Sequence, residues 1–312
     1  MESSVFDYSG PASLLDLNST EWKQSFRQCE EAQRIFSSQN LYPTDYPWPR
    51  DPLHTWSRIW EYPYVNQHIA DFMRSRLSPS PRPVVVDFGS GVTFFPSLLA
   101  ENNHCEVICI DNNESFAKAF EPKNGLKPVT FLASNGWELP LGTASADAVY
   151  SVSVLEHVPD CHRLVKEFAR VLKPEGLLCI TIDIELDPTS NIGLHPASRS
   201  QLYTELSEHF CYRRDPKTVA PSELLTTLSS PYPMGVASSY SRKIAMLAKD
   251  FARVILGRSL PNRRWFLTCE GVVLTRKRED EHGSHDQRAD RLKEGTIGSG
   301  QSTCVIPGEQ AR

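Results

Sequence analysis

Between residues 83 and 185, short apolar runs alternate with longer stretches whose apolar positions recur at helical spacing. The short runs are apolar on both faces, which is typical of buried parallel strands. The pattern predicts strands at 83–88, 106–111, 129–133, 147–154 and 177–183, and helices at 94–102, 114–120 and 159–172. This alternation indicates βαβ units, and therefore an α/β, doubly wound, Rossmann-like sheet.

The chain outside this region divides at changes of composition. A Pro/Ser stretch at 78–83 marks the boundary between an aromatic-rich segment, 1–80, and the main domain. Helices are predicted in this segment at 19–37 and 64–77. The main domain is predicted at 81–276, with an insertion on the substrate side at 186–262 and a tail at 277–312 that we expect to be disordered. Further helices are predicted at 199–210 and 242–255, and a last strand at 265–276.

Composition narrows the class of protein. The 312 residues include 33 Lys plus Arg and 38 Asp plus Glu, a net charge of −5, so the chain is not a basic nucleic-acid-binding protein overall. No apolar run approaches the roughly 18 residues of a membrane span, and the first residues lack a signal-peptide pattern. We therefore expect a cytoplasmic protein. Its eight cysteines are scattered without metal-ligand spacing, so we expect reduced thiols and no metal.

A glycine-containing loop follows the first predicted strand of the main domain. Asp87 ends that strand, Gly89 and Gly91 follow it, and Asp111 ends the next strand, which is the arrangement of a nucleotide site in a doubly wound sheet. A dinucleotide fingerprint would need a third glycine where Phe94 stands. A carboxylate at Asp87 also opposes a pyrophosphate but suits a ligand with ammonium and sulfonium charges, which indicates S-adenosylmethionine.

The motifs in their order resemble those of the class I S-adenosylmethionine-dependent methyltransferases, and among them the methyltransferase type 11 group, which is similar to the ubiquinone and sterol methyltransferases. The resemblance spans residues 83–185 and rests on VVVDFGSGVT, Asp111, SNGWELPL, DAVYSVSVLEHVPD and FARVLKPEGLLCITI. It implies a mostly parallel sheet with an antiparallel last strand. Two positions depart from the family pattern, because Thr93 replaces a glycine and Asn135 replaces an aspartate.

The resemblance also implies a set of residues that bind the cofactor S-adenosyl-L-methionine. Asp87, Gly89 and Gly91 would hold its methionine part, and Asp111 its ribose. The adenine would lie against Asn135, Gly136 and Trp137, with Ser90, Asn112 and Ser153 completing the site.

The acceptor of the methyl group is expected to be a small molecule, and O-methylation of a secondary metabolite, lipid or sugar intermediate is the leading hypothesis. Candidate catalytic residues must follow the strands, and His157, Asp183 and Glu185 do so. His157 is alternatively a support of its loop, and a metal held by the two carboxylates and His195 has no geometric support in the sequence.

Substrate identity is expected to depend on 186–262 and on the aromatic residues of segment 1–80, which either form a lid or dock that segment on the sheet. These aromatic residues are Tyr42, Tyr46, Trp48, Trp56, Trp60, Tyr62 and Tyr64.

Other functions stay open at this point. A methyltransferase-like protein that binds without catalysis is one alternative, and an NAD-dependent oxidoreductase is a weaker one. A base N-methyltransferase is disfavoured by the overall acidity and by Leu155-Glu156-His157-Val158 in place of an asparagine-proline-proline-aromatic motif. We expect no nucleic-acid partner, and the sequence does not predict an oligomeric state.

Overall fold

A computed structural model describes residues 6–76, 82–121, 126–186, 193–232 and 267–278 of the chain. The predicted helix at 242–255 and the tail beyond residue 278 lie outside these residues, as do residues 187–192 and 233–262 of the insertion.

One sheet forms the centre of the described chain, and the predicted fold class is confirmed. Its strands are β1 (Gly10–Pro11), β2 (Val84–Phe88), β3 (Glu106–Asp111), β4 (Thr130–Ala133), β5 (Ala146–Val152), β6 (Leu172–Glu185), β7 (Phe210–Tyr212) and β8 (Leu267–Arg276). The spatial order is β4-β3-β2-β5-β6-β8, and all pairs from β4 to β6 are parallel. Strand β8 is antiparallel to β6, and the short β1 and β7 pair with the other edge of β8.

Within the described residues, five α-helices accompany the sheet, namely α1 (Thr20–Ser38), α2 (Arg58–Ser75), α3 (Phe95–Asn103), α4 (Cys161–Val171) and α5 (Pro196–His209). Helix α1 begins where the Ser19 hydroxyl accepts from the Trp22 N–H at 3.0 Å. The predicted helix at 114–120 is a 3-10 helix. Its Asn113 side chain accepts from the Ser115 N–H, which starts a tight turn directly after β3.

Alternating strand residues fill two cores, one on each face of the sheet. Val85, Cys109 and Cys179 pack with the amino-terminal segment and α3. Val86 and Ile180 point to the opposite face, where α4 and α5 cover the sheet. The strands are therefore buried on both sides, as their apolar sequences predict.

Helix α2 begins at Arg58 rather than at Tyr64, because Pro63 is accommodated inside it. A proline has no N–H to donate to the carbonyl four residues earlier, here that of Ile59. The indole N–H of Trp22 donates to this carbonyl at 2.8 Å. Helix α1 thus supplies the hydrogen bond that the proline removes, and the first turn of α2 persists.

The amino-terminal segment packs closely on β8. A Cβ atom at Gly271 would lie 2.4 Å from a Tyr64 ring atom and 2.8 Å from a Trp60 ring atom, so α2 approaches the strand where it lacks a side chain. Both rings are fully buried and stack with centroids 4.4 Å apart. The Tyr64 hydroxyl donates to the Tyr8 carbonyl at 2.6 Å, which ties in the residues that precede β1.

Seven cysteines lie among the described residues, and all of them are free thiols. No helix in the described parts of the chain combines the length and apolar character that crossing a membrane requires.

Candidate functional site

The loop after β2 folds over the end of β3. Gly89 and Gly91 have φ of +72° and +53°, a region that glycine enters without strain. The N–H groups of Gly89 and Ser90 donate to the Ile110 carbonyl at 2.8 and 3.2 Å. A Cβ at Gly89 would lie 2.5 Å from Val154 Cγ2, so no larger residue fits there. The backbone of Gly89 therefore lies close to the residues that follow β5. This is the place between β2 and β5 where the strand order of the sheet reverses.

Asp111 is held by this loop at the end of β3. One carboxylate oxygen accepts from the Gly91 N–H at 2.9 Å, and the other accepts from the Asn113 N–H at 3.1 Å. Each carboxylate oxygen can accept more than one hydrogen bond. Asp111 is therefore fixed in position and still able to accept from a pair of ligand hydroxyls.

Asp87 is a buried acid in the same site, with 5 % of its surface exposed. Burial raises the pKa of Asp87 to about 8, and the Asp111 charge adds to the shift while the Tyr150 hydroxyl opposes it. Among the described residues, no cation forms an ion pair with Asp87. A positively charged ligand group would supply the missing partner.

A cavity of about 800 Å³ opens over these residues. It contains most of the predicted site residues, namely Asp87, Gly89, Ser90, Gly91, Asp111, Asn112, Gly136, Ser153, His157 and Asp183. The sequence analysis did not single out Asn113, Phe116 and Ser134, which line the wall on the β3–β4 side. Nothing in the sequence distinguishes these three from ordinary loop residues.

Asn135 and Trp137 are not among the lining residues. The Asn135 side-chain oxygen accepts from the N–H groups of Trp137 and Glu138 at 3.2 and 2.9 Å. This oxygen stabilises its own turn, and the side-chain nitrogen donates to the Glu138 carboxylate. At this wall it is Gly136, with φ of +96°, that reaches the cavity.

Glu185 is also outside the cavity lining, whereas Asp183 is part of it. Both are on β6, but Glu185 is one pleat further along, where its N–H donates to the Leu194 carbonyl at 3.3 Å. His195 lies beyond, and its ring Nδ1 accepts from the Ala197 N–H at 3.2 Å at the start of α5. The structure therefore does not bring Asp183, Glu185 and His195 together at one point.

The aromatic residues of the amino-terminal segment divide into two groups. Tyr46, Trp48, Trp56 and Tyr62 line the cavity, with three prolines at positions 47, 49 and 52. Tyr42, Trp60 and Tyr64 are buried in the core instead. Trp48 is 60 % exposed at the cavity mouth, which is unusual for so large an apolar ring.

Helix α2 contributes an ion pair to the cavity floor that the sequence analysis missed. Arg58 pairs with Glu61, which is fully buried, and donates to the Ser153 hydroxyl at 2.7 Å. Glu61 accepts from the hydroxyls of Ser153 and Thr181, each at 2.6 Å. The available signal was an opposite-charge pair at i,i+3 inside an otherwise aromatic run, WSRIWEYPY.

Ser153 itself has φ of +47°, a left-handed conformation that is unfavourable for a serine. It follows the end of β5, and its N–H donates to the Thr181 carbonyl of β6 at 3.0 Å. The Ser153 hydroxyl lies 3.3 Å from the Asp183 carboxyl. The strained backbone thus directs the hydroxyl between α2 and β6.

Two acidic residues at the cavity floor have raised pKa values. Burial, and then the Glu61 charge, raise the pKa of Asp183 to about 7. Burial, followed by the Asp183 charge, also raises the pKa of Glu156 well above its ordinary value. Partial burial and the Arg58 guanidinium lower the pKa of His157, so the ring is neutral at pH 7. Asp183, with a pKa of about 7, and the neutral ring of His157 are therefore both candidates to accept a proton from a ligand.

A separate group of metal-ligating types lies on α5, away from the cavity. Atoms of Glu205, Glu208 and His209 lie within 4.8 Å of one another. However, Glu205 contacts the His162 ring, and the Lys166 ammonium lies 3.9 Å from it. Because the Lys166 ammonium already faces Glu205, ion pairing explains this group.

Comparison with known proteins agrees with this geometry. A family model described as a methyltransferase domain matches residues 86–180. An uncharacterised methyltransferase of Mycobacteroides abscessus is 31 % identical over 106 residues, which is 33 % of this chain and 41 % of that protein. An O-methyltransferase of Pyrenophora dematioidea is 29 % identical over 117 residues, or 36 % of this chain and 43 % of that protein. The chain thus matches less than half the length of these curated relatives.

Solved structures are similar to the chain at lower identity. A putative sarcosine dimethylglycine methyltransferase from Galdieria sulphuraria superposes with a TM-score of 0.45 and 19 % identity, covering 68 % of this chain and 85 % of that one. The family match, the sequence relatives and the strand order agree on one assignment. Residues 86–180 form a class I S-adenosylmethionine-dependent methyltransferase domain of the methyltransferase type 11 group.

Proposed function

We propose that the protein transfers a methyl group from S-adenosylmethionine to a hydroxyl group of a small-molecule acceptor. The observation that supports this best is Asp87, a buried acid that faces the cavity without a cationic partner among the described residues. The methionine part of the cofactor has a positive ammonium group and a positive sulfonium group. Binding it would neutralise Asp87 in a place where an unpaired charge is unfavourable.

The other residues of the site fit the same cofactor. Asp111 has acceptor capacity for both ribose hydroxyls, and the backbone of Gly89 and Gly91 lines the cavity where the methionine part would lie. At the adenine end we assign Gly136, with Asn112 and Ser90 nearby in the cavity wall. Asn135 and Trp137 belong to this proposal only through the turn that they form around Gly136.

The same geometry is unfavourable for NAD. Phe94 occupies the position of the third glycine in a dinucleotide fingerprint, and its ring is fully buried against Tyr62 and Phe95. A pyrophosphate would also face the carboxyl of Asp87. Both features argue for a cofactor without phosphate groups.

The chain's own contribution to the reaction is positioning, exclusion of water and transfer of a proton. When bound, S-adenosylmethionine supplies a methyl carbon that is already activated by positive sulfur. Asp87, Asp111 and the glycine loop would fix that carbon, and the aromatic wall of Tyr46, Trp56 and Tyr62 would exclude water around the acceptor. A hydroxyl acceptor must lose its proton, and Asp183 or His157 would take it.

The acceptor class rests on two observations. The walls beyond the cofactor residues are largely aromatic and proline-rich, which suits a small apolar or planar molecule. One relative is called an O-methyltransferase, and another is a methyltransferase of Streptomyces halstedii, 26 % identical over 181 residues. O-methylation is the reaction of the first of these by its name, and we extend it to this chain as part of the proposal.

Calorimetric titration of the purified chain with S-adenosylhomocysteine tests the cofactor, with NAD titrated separately. We expect binding of S-adenosylhomocysteine alone. The Asp111→Ala variant should lose most of this affinity because it removes the proposed ribose acceptor. Asp45→Ala is the matched control, since Asp45 is exposed and absent from the cavity lining. Binding of neither ligand, or unchanged affinity in Asp111→Ala, would contradict the proposal.

A further inference from the structure

Three carboxyl groups meet one guanidinium at the floor of the cavity. Glu61, Glu156 and Asp183, which we call the carboxyl cluster, lie around Arg58 and Ser153. Arg58 pairs with Glu61 and donates to Ser153, whose hydroxyl lies 2.6 Å from Glu61 and 3.3 Å from Asp183. The Asp183 N–H donates to the first carboxyl oxygen of Glu156 at 3.3 Å.

The charges of the carboxyl cluster do not balance if every acid is ionised. Arg58 is already paired with Glu61, and within the described residues no cation pairs with Glu156 or Asp183. The other titratable groups nearby are Tyr62 of α2, Cys269 of β8 and His157, and none of them supplies a positive charge at pH 7. Protonation must therefore remove at least part of the excess negative charge.

Glu156 shows where one proton resides. Its second carboxyl oxygen is inaccessible to water and has no hydrogen-bond partner. An ionised oxygen in that position would lose its hydration without compensation, which strongly favours the neutral acid. Asp183, in contrast, lines the cavity and has the Ser153 hydroxyl beside it.

We propose that Glu156 and Asp183 hold one proton between them at neutral pH, resident on Glu156, and that the Asp183 carboxylate receives the proton of a neutral hydroxyl acceptor. This rests on the function proposed above. Arg58 and Glu61 are positioning residues, because they act on Asp183 through Ser153 and through their charges. The raised pKa values of both acids agree with this distribution.

The proposed step balances as follows. The acceptor hydroxyl gives its proton to an oxygen of Asp183 and keeps the O–H electron pair. Its oxygen forms the new bond to the methyl carbon as the carbon–sulfur bond breaks, and that pair of electrons goes to sulfur. Asp183 then releases the proton to water when the products leave.

The charge of the carboxyl cluster also restricts the charge that an acceptor can have. With Glu156 neutral and Arg58 paired to Glu61, the ionised Asp183 leaves the floor with one negative charge. An acceptor with a carboxylate or phosphate beside its hydroxyl would be repelled, because no described cation of the floor is left to pair with it. We therefore assign the site to uncharged hydroxyl compounds.

Infrared spectroscopy of the full chain without ligand tests the proton directly, through the C=O stretching band of protonated carboxyl groups followed across a pH titration. Asp87, with a pKa of about 8, contributes a band of its own, so the spectra are compared in an Asp87→Asn background. There we expect a step about pH 7 from Asp183 and a residual band above it from Glu156. Asp183→Asn should lose the step about pH 7, and Glu156→Gln should keep that step but lose the residual band.

Glu61→Gln tests the positioning role. It removes a negative neighbour of Asp183 and frees Arg58, so the Asp183 step should shift to lower pH while the Glu156 band persists. A purely structural role for Glu61 would leave the position of the step unchanged. Glu208→Gln, at an exposed position of α5, is the control and should alter neither feature.

Two results would overturn the inference: an Asp87→Asn spectrum without a protonated carboxyl at pH 7, or a step that is unchanged when Asp183→Asn is added. Near-ultraviolet circular dichroism of each variant verifies the fold. Because the titration needs no cofactor, its failure is separate from that of the proposed function. If the wild-type protein does not bind S-adenosylhomocysteine but the expected infrared titration is observed, the proposed function is refuted and the proton assignment stands.

Discussion

The hydroxyl of Tyr46 forms two hydrogen bonds with the backbone of Val92, accepting from its N–H at 3.1 Å and donating to its carbonyl at 3.3 Å. Val92 directly follows Gly91 in the glycine loop, and Tyr46 belongs to the segment before the methyltransferase domain. The shape of the cofactor loop therefore depends on a residue outside the residues that match the family.

Tyr46→Phe should weaken S-adenosylhomocysteine binding, because the loop loses its anchor while the ring remains. Loss of such hydrogen bonds is worth about 1 kcal/mol, or roughly fivefold in affinity. Isothermal calorimetry measures this change. Tyr42→Phe is the matched control, because the Tyr42 ring lies 5.2 Å from that of Tyr46 but outside the cavity lining. Equal affinities of Tyr46→Phe and the wild type would show that the anchor is unimportant for binding.

Gly89→Ala should destabilise the fold more than Gly136→Ala does. Both positions have positive φ, so both variants incur about 1–2 kcal/mol of backbone strain. Only at Gly89 does the new Cβ meet an obstacle, the Val154 side chain at 2.5 Å, since nothing lies within 4 Å of a Cβ at Gly136. Thermal unfolding of both variants measures the difference. Val154→Ala combined with Gly89→Ala should recover part of the loss, and its failure to do so would exclude the clash as the cause.

Asp87 should make the unliganded protein less stable as the pH rises. Its pKa is about 8 in the folded protein against 3.8 for an unperturbed aspartate, so the folded state binds the proton more tightly. This contribution to stability is therefore lost progressively between about pH 4 and pH 8. Asp87→Asn should remove the contribution of Asp87 to that slope, leave the contribution of Asp183, and be more stable than the wild type at the alkaline end. Thermal unfolding temperatures measured across this pH range provide the comparison.

The same residue predicts a proton released on cofactor binding. At pH 7 the free protein holds this proton, and a cationic ligand beside Asp87 favours the carboxylate. Binding of S-adenosylmethionine should thus release close to one proton per site in the wild type and markedly fewer in Asp87→Asn. Calorimetry in two buffers with different ionisation enthalpies counts the protons. Equal release by both proteins would assign the proton to another group.

Gly271→Ala should destabilise the protein by about 1–3 kcal/mol, the usual effect of overpacking. Its Cβ would lie within 3 Å of atoms of both Tyr64 and Trp60, two buried rings that have no room to move. Denaturant unfolding measures the free energy. Gly142→Ala, where a Cβ has nothing within 4 Å, is the control and should be nearly neutral. A neutral Gly271→Ala would mean that α2 does not pack on β8 as closely as described.

The sheet could be predicted from sequence because its strands are apolar on both faces and its ligand loop has glycines at two positions that need them. The sequence pattern predicted that α2 begins at Tyr64 and not at Arg58, because Pro63 looks like a helix boundary. Its accommodation depends on Trp22, thirty-seven residues before Ile59 in the chain, and no local pattern reports such a contact.

The part of the cavity that we propose for the cofactor was likewise more predictable than the part that we propose for the acceptor. Asp87 and Asp111 occupy strand ends, where topology alone brings residues together. The position of Glu185 outside the cavity, and that of Arg58 inside it, depends on how far β6 extends and on how α2 docks. Both depend on tertiary contacts between segments. The pattern of apolar and polar residues along one strand or helix does not specify such contacts.

Helix α2 presents Arg58 to the cavity at one end, with Glu61 buried behind it, and packs Trp60 and Tyr64 on β8. The half of the pocket that would recognise the acceptor is thus largely borne by a segment that precedes the methyltransferase domain in the chain. Descendants of this protein could therefore acquire new substrates through changes in that segment, while the cofactor machinery stayed untouched. Selection on specificity and selection on methyl transfer would then act on different stretches of the gene.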